Sequence, residues 1–321
     1  MTTVPKRRIG TSGPEVSVLA LGSWHTYDRM DFHDGAALLR RAVDAGIDLF
    51  DVGVYGGVPL DESGKIHHSF TDVIFGRLVE HAGIAREDYR LSEKLWLEPW
   101  PQITMSAQLQ RALERVGTDR ADLAVLGDIR TETINYRALV LDLAEAVRSG
   151  LLGAWGVNNW SVADLRATHE AAQAEGVPGP QLAQLKYSPC RRAMADDPEY
   201  RALLAETGIS LQASDVFEGG MLAGRVGSDR VVGRDPGGVR ERIAAVAPRL
   251  REIAAGWDAT PAQVAVAFGL AHPATATVLF GASRMEQLED NLGALDLLER
   301  VGAEPLRAAV DELWVDQHVG A

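Results

Sequence analysis

The chain has 321 residues, 46% of them hydrophobic, with one cysteine and a formal net charge of −13. That size and apolar share suit a single α/β barrel with a large core. The acidic balance speaks against a nucleic-acid or acidic-membrane partner, because phosphate binding needs clustered Lys and Arg.

The lone Cys190 excludes an intrachain disulfide and fits a reducing, cytoplasmic setting. The segment MTTVPKRRIG is basic with no apolar stretch behind it, so a secretory signal is not expected. No apolar run reaches the length needed to cross a bilayer.

Residues 7–22, RRIGTSGPEVSVLALG, read as a β-hairpin turning at Thr-Ser-Gly-Pro. Short apolar runs then alternate with helix-periodic segments. Strands are predicted over 17–21, 47–51, 89–93, 122–126, 154–158, 181–185, 209–213 and 277–280. Helices are predicted between them over 34–45, 71–82, 105–116, 135–149, 162–175, 199–207 and 285–295, with extra helices over 240–255, 261–271 and 305–317. The glycine-rich stretch 219–240 reads as a mobile loop after the seventh strand.

Eight strand–helix units in succession predict a (β/α)8 barrel with an N-terminal hairpin and extra C-terminal helices, as one domain over 1–321. A doubly wound sheet is the competitor, and it would normally bring a GxGxxG fingerprint that this chain lacks. PLDESGKI is no Walker loop either, since it lacks the glycine spacing and the Ser or Thr after Lys65.

Barrel chemistry sits on the loops at the C-terminal ends of the strands. There the second strand delivers Asp51 and Tyr55, in LFDVGVYGG, and the third delivers Lys94. An acid, a phenol and an ammonium on neighbouring strands form a proton-handling group, in which Lys94 would favour phenolate and Asp51 would keep Lys94 charged. Taken singly, each has a plainer reading: Asp51 bonding loop amides, Lys94 in solvent, Tyr55 as packing. After the last strand, GASRMEQLEDN makes Ser283 an expected N-cap with Glu286 closing a capping box. Free amides there, with Arg284, would form an anion site; the plainer alternative is an ordinary capped helix.

Trp24, Trp96, Trp100 and Trp160 fall on the same face, where they suit an aromatic-walled pocket, although some are expected to cap the barrel. Arg130, Arg191 and Arg192 read as solvated surface charges. His67 and His68 are adjacent and point apart, so no metal centre is expected.

From RRIGTSGPEVSVLALGSW to FGASRMEQLEDNLGALDLL the chain resembles the aldo-keto reductase superfamily, in the branch of bacterial general reductases and potassium-channel β-subunits. The resemblance implies an eight-stranded barrel that binds NADP(H) without a Rossmann domain. It also implies hydride transfer to a carbonyl carbon, with a tyrosine protonating the oxygen. Asp51, Tyr55 and Lys94 match the catalytic acid, phenol and lysine. Asn158, Asn159 and Gln184 match the residues that hold the nicotinamide carboxamide, and Ser283 and Arg284 the site of the extra phosphate. Gln287 and Asn291 match positions near the adenosine, and Ser214 and Gly281 lie along the same cofactor track.

Four positions depart from the family pattern. The loop from Asp51 to Tyr55 is one residue short; Gly127 stands where a carbonyl-polarising histidine is usual; Ser214 replaces an aromatic ring that stacks on the nicotinamide; and Asp290 replaces a glutamate. A small Gly127 is expected to open volume beside Trp24, Trp96 and Trp160, and His25 is a candidate substitute for the histidine. The resulting expectation is an NADP(H)-dependent oxidoreductase acting on a small carbonyl or an activated C=C or C=N bond. A redox-neutral enzyme, such as a dehydratase, isomerase or cyclase, and a cofactor-sensing non-catalytic subunit are the alternatives.

Overall fold

The computed structural model describes residues 3–24, 26–55, 58–59, 66–67, 69–130, 133–224 and 238–317. His25, His68 and positions 225–237 of the glycine-rich stretch lie outside the described residues, as does the side chain of His67.

The chain opens with an antiparallel ladder of β1 (Lys6–Arg8) and β2 (Glu15–Ser17). Barrel strands β3 (Leu19–Gly22) and β4 (Leu49–Gly53) follow, and then a two-stranded ladder, β5 (Val58–Pro59) and β6 (Ile66–His67). Six more barrel strands complete the set: β7 (Arg90–Leu95), β8 (Ala121–Leu126), β9 (Leu152–Asn158), β10 (Leu182–Lys186), β11 (Ser210–Ser214) and β12 (Thr275–Phe280). They pair in parallel and close through β12 against β3, with Val278 opposite Leu19. Each barrel strand lies within two residues of its expected bounds. The expected hairpin divides instead: residues 6–17 form it, and 19–22 belong to the barrel.

Around the barrel run α1 (Phe32–Asp44), α2 (Thr71–His81), α3 (Met105–Val116), α4 (Tyr136–Arg148), α5 (Val162–Glu175), α6 (Pro198–Thr207), α7 (Val239–Ala255), α8 (Pro261–Leu270), α9 (Met285–Val301) and α10 (Ala303–Ala309). Side-chain caps fix the starts of α1 (Asp31), α3 (Thr104), α4 (Asn135), α5 (Ser161), α6 (Asp197) and α8 (Thr260, with Gln263 in a capping box). The last predicted helix, 305–317, stops early: α10 ends at Ala309 and a 3₁₀ turn covers Asp311–Leu313.

Period-two alternation sorts the strand side chains into two layers. Phe50, Val52, Leu91, Leu95, Ala124 and Leu126 face outward into the layer shared with the helices. Leu49, Leu123, Val125, Ala154 and Leu182 face inward, and Ile9 and Val16 of the hairpin join them to plug the bottom. The hairpin is pinned there by Gln181, whose Oε1 accepts from the amides of Thr11 and Ser12 at 3.0 Å each. Gly10 makes this contact possible: its φ is +57°, and a Cβ would come within 2.5 Å of Gln181.

Glu93 breaks the outward apolar pattern of β7. It is fully buried, and neither carboxyl oxygen has a hydrogen-bond partner. Burial, then the nearby Asp72 and Asp51, push its pKa well above the usual carboxylate range. Folding therefore takes up a proton at Glu93. Its contribution is most favourable below the unfolded pKa and is lost as pH rises towards the folded one, at about 1.4 kcal/mol per pH unit. Urea unfolding across pH 5 to 8 is expected to show Glu93→Gln gaining on the wild type as pH rises; a constant difference would mean that Glu93 is ionised in the fold.

Candidate active site

Above the apolar plug the inward positions turn polar. On β4 the inward series runs Leu49, Asp51, Gly53, and across the ladder Gly53 pairs with Lys94 while Gln184 pairs with Asn158 and Gln212. A register set by apolar packing below thus fixes which polar side chains meet above.

Asp51, Lys94 and Gln184 are all buried and form one network. Lys94 Nζ lies 3.7 Å from Asp51 Oδ2. Gln184 sits between them: its Oε1 accepts from Lys94 Nζ, and its Nε2 donates to Asp51 Oδ2 at 2.9 Å and to Gln212 Oε1 at 2.7 Å. Burial lowers the Lys94 pKa, and Asp51 and Asp128 only partly oppose it. Asp51 thus favours the charged form of Lys94, as expected, while burial works against it.

Tyr55 reaches this network despite its short loop. Its ring stands over Gly53, where a Cβ would lie 2.8 Å from Lys94 Cβ, 3.0 Å from Tyr55 Cζ and 3.2 Å from Tyr55 Oη. Burial, and then the Asp51 carboxylate, raise the phenol well above its ordinary value. This corrects the expectation of a phenol made acidic by Lys94: charge repulsion from Asp51 and lost hydration dominate.

Trp96 changes the reading of Gly127. A Cβ on Gly127 would lie 2.6 Å from Trp96 Cε3 and 2.8 Å from Cζ3, so the indole occupies the space that the missing side chain would take. The indole is held by a 2.9 Å bond from its Nε1 to the Val54 carbonyl, and it meets the Tyr55 ring edge-on at 6.2 Å. Gly127 therefore opens no volume. Trp160 is 1% exposed and donates from Nε1 to the Gly127 carbonyl at 2.9 Å. It is a core residue and is not among the residues that line the active-site cavity.

These groups open into a cavity of about 910 Å³ whose wall includes Trp24, Asp51, Tyr55, Lys94 and Trp96. Asn158, Asn159, Gln184, Ser214, Gly281, Ser283, Arg284, Gln287 and Asn291 also line it. Asp128, which the strand-end reading passed over, accepts from the side-chain amides of both Asn158 and Asn159. Its signal in sequence was its place as the first charged residue past β8. Asn159 has φ +52° and ties the strand ends together through Lys186 N–H, 3.0 Å from its Oδ1.

The loop after β11 carries two acids with left-handed backbone, Asp215 (φ +51°) and Glu218 (φ +49°), at a cost of about 1–2 kcal/mol each. Asp215 lines the cavity and accepts from Gly219 N–H at 3.1 Å. Burial and the nearby Glu218 push its pKa up to about 8, against Lys186 and Arg191. Glu218 accepts from Ser188 Oγ at 2.8 Å and from Arg191 Nε at 3.2 Å. Arg191 is thus paired with Glu218, and Arg192, 2% exposed, packs over Phe268 and Trp314. Both correct the expectation of solvated surface charges.

At the far end of the cavity, Ser283 is not the N-cap. Arg284 holds that position, and no side chain caps α9. Gln287, one residue beyond the expected Glu286, folds back to accept from Ser283 N–H at 3.0 Å. An uncapped 17-residue helix with an arginine at its start is suited to a phosphate. Asp290 bonds Thr260 Oγ1 at 2.9 and 3.0 Å and so joins α9 to the cap of α8. Among the described residues, no group of three or more His, Cys, Asp or Glu side chains is placed to hold a metal, and no helix is long and apolar enough to cross a membrane.

Comparison with known proteins agrees with this architecture. The chain is similar to a putative voltage-gated potassium channel subunit beta of Schizosaccharomyces pombe, at 23% identity over 97% of this chain and 93% of the relative. It is similar to probable voltage-gated potassium channel subunits beta of Arabidopsis thaliana and Oryza sativa, each at 25% identity over 91% of both chains. The aldo/keto reductase profile matches residues 18–301, and with its closed eight-stranded parallel barrel the chain belongs to the aldo/keto reductase family.

Proposed function

We propose that the chain is an NADP(H)-dependent oxidoreductase acting on a small organic carbonyl or an activated C=C or C=N bond. The observation that carries this reading is one cavity joining two ends: Tyr55 with the Asp51–Gln184–Lys94 network, and the uncapped α9 with Arg284. A cavity of about 910 Å³ has the capacity for a dinucleotide and a small substrate.

Arg284 and the first amides of α9 would hold the cofactor's extra phosphate, with Gln287 and Asn291 beside the adenosine. Asn158, Asn159, Ser214 and Gln184 would border the nicotinamide. When bound, a reduced nicotinamide supplies a hydride. Tyr55 delivers its proton to the oxygen or nitrogen that becomes basic as the substrate is reduced. A raised phenol pKa is compatible with this, because a developing alkoxide is a far stronger base than phenolate. Lys94, partly neutralised by Asp51 through Gln184, orients the acceptor and re-protonates the phenolate. Trp96 fixes the Tyr55 ring and fills the place of a histidine, so polarisation of the substrate falls to Tyr55 and Lys94.

A non-catalytic, cofactor-sensing subunit is the second reading, favoured by the names of the relatives. It shares the cofactor end and predicts binding with little turnover.

Tyr55→Phe is expected to cut NADPH turnover by about 10²–10⁴ with NADPH affinity retained; undiminished turnover would remove the phenol from the mechanism. Gly53→Ala, which inserts a methyl 3.2 Å from Tyr55 Oη, is expected to lose turnover comparably while the protein stays folded by circular dichroism. Burial, then Glu218, raise the Asp215 pKa to about 8, so its ionisation as pH rises through that range would place negative charge in the cavity. NADPH affinity, read by fluorescence titration, is therefore expected to fall across that range in the wild type and to stay flatter in Asp215→Asn, where Glu218, Lys186 and Arg191 are unchanged.

A further inference from the structure

At the Tyr55 end of the cavity, negative charge outnumbers positive. Asp51 and Lys94 form one buried pair at 3.7 Å. Asp128 is a second carboxylate beside them. It follows Gly127, against whose Cα the Trp96 indole packs; it lines the cavity, and its charge acts on Lys94. Its hydrogen bonds come from the side-chain amides of Asn158 and Asn159, and both fall on Oδ1. Neutral amides orient a carboxylate without cancelling its charge. Among the described residues Asp128 has no ion pair of its own.

The other cations on the wall are answered elsewhere. Arg130 pairs with Glu98 at 3.4 Å, the charge of Lys186 acts on Asp215 and Glu218, and Arg284 stands at the start of α9. Arg29 is engaged within the protein. It follows Thr26, whose Oγ1 lies 3.6 Å from where a Gly281 Cβ would stand, on the α9 side.

This end also lacks a free neutral donor to polarise a carbonyl, because the Trp96 N–H is bonded to the Val54 carbonyl. A substrate with a positively charged nitrogen near its carbonyl answers both features. Its charge is attracted by Asp128 and by aromatic rings, and the Tyr55 and Trp96 rings, 6.2 Å apart, line the same end. That charge also stabilises the alkoxide that forms as hydride adds to the carbonyl carbon, before the oxygen takes the Tyr55 proton. We propose that the substrate is a small aldehyde or ketone carrying a cationic nitrogen, held by Asp128 beside the Tyr55 and Trp96 rings. This rests on the reductase reading of the cavity and narrows it to one substrate class.

Choline and 3,3-dimethylbutan-1-ol have the same shape and differ in charge, so they test the site without turnover. Titration of the full chain at low ionic strength, followed by tryptophan fluorescence, is expected to show choline binding about tenfold more tightly or better. Asp128→Asn keeps an oxygen for the two asparagine amides and should bring the two affinities together. Equal affinities in the wild type, or a preference unmoved by Asp128→Asn, would overturn the proposal. The corresponding aldehydes, trimethylammonioacetaldehyde and 3,3-dimethylbutanal, extend the test to NADPH turnover. The cationic one is expected to have a kcat/KM at least about tenfold higher, and that ratio should collapse in Asp128→Asn. Equal kcat/KM values would sink this inference and leave the reductase reading standing. Turnover of neither aldehyde by protein that binds NADPH would sink that reading, while the choline titration still decides the cation site. Thermal melting of Asp128→Asn separates loss of the site from loss of the fold.

Discussion

The carboxylate of Asp51, 2% exposed above a mainly apolar lower layer of the barrel, is the constraint around which the upper half is organised. An unpaired ion there would be costly, and removing one partner of a buried pair typically costs about 3–5 kcal/mol. Asp51 answers this with Lys94 at 3.7 Å and with the amide of Gln184 at 2.9 Å. Gln184 in turn needs an acceptor and a donor of its own, which Gln212 and Lys94 supply. Residues from four strands are thereby locked into one polar layer. That layer is rigid because each member's geometry is fixed by the ladder register beneath it. Tyr55, from a loop, is positioned against this layer by the bare Cα of Gly53 and by the edge of Trp96.

Trp96 and Gly127 make the second dependence. A residue lost at one strand end is compensated in volume by a ring from the neighbouring strand's end, and the Gly127 carbonyl is used by Trp160. The substitution is steric and leaves the chemistry uncompensated. Indole offers one N–H, and here it is spent on Val54. The indole offers no free N–H at that position, so in the proposed reaction polarisation of the substrate would fall to Lys94 and Tyr55.

The barrel was legible in sequence because its determinant is local. Short apolar runs place the strands, and with them the candidate site residues Asp51, Lys94, Asn158 and Gln184 towards their C-terminal ends. What escaped was set by contacts distant along the chain. The space over Gly127 is filled by a side chain 31 residues earlier (127 minus 96), and no local pattern encodes that. Arg192 reads as solvated because arginine usually is, yet Phe268 and Trp314 form its two apolar faces. At Ser283 the local rule itself misled: the S-x-x-E spacing fits a capping box, but Gln287 reaches back instead and leaves the helix start open to the cavity. Asp215 could be placed after the seventh strand from sequence, but only the fold reveals that it and Glu218 are buried in left-handed backbone.

These acids bear on how the cavity works as a whole. Its wall carries Arg29, Lys94, Arg130, Lys186 and Arg284 on one hand, and Asp51, Asp128, Asp215, Glu286 and Asp290 on the other. Asp51 and Asp128 accept from neighbours within the protein, Gln184 and the two asparagine amides. Asp215 accepts from the Gly219 amide at 3.1 Å, and burial, then Glu218, raise its pKa to about 8. A neutral carboxyl can donate a hydrogen bond to an anion that a carboxylate would repel. The loop after β11 thus places on the cavity wall an acid whose pKa is raised by burial and by Glu218. If an anionic cofactor binds as proposed, a raised pKa at Asp215 would couple its protonation to that binding.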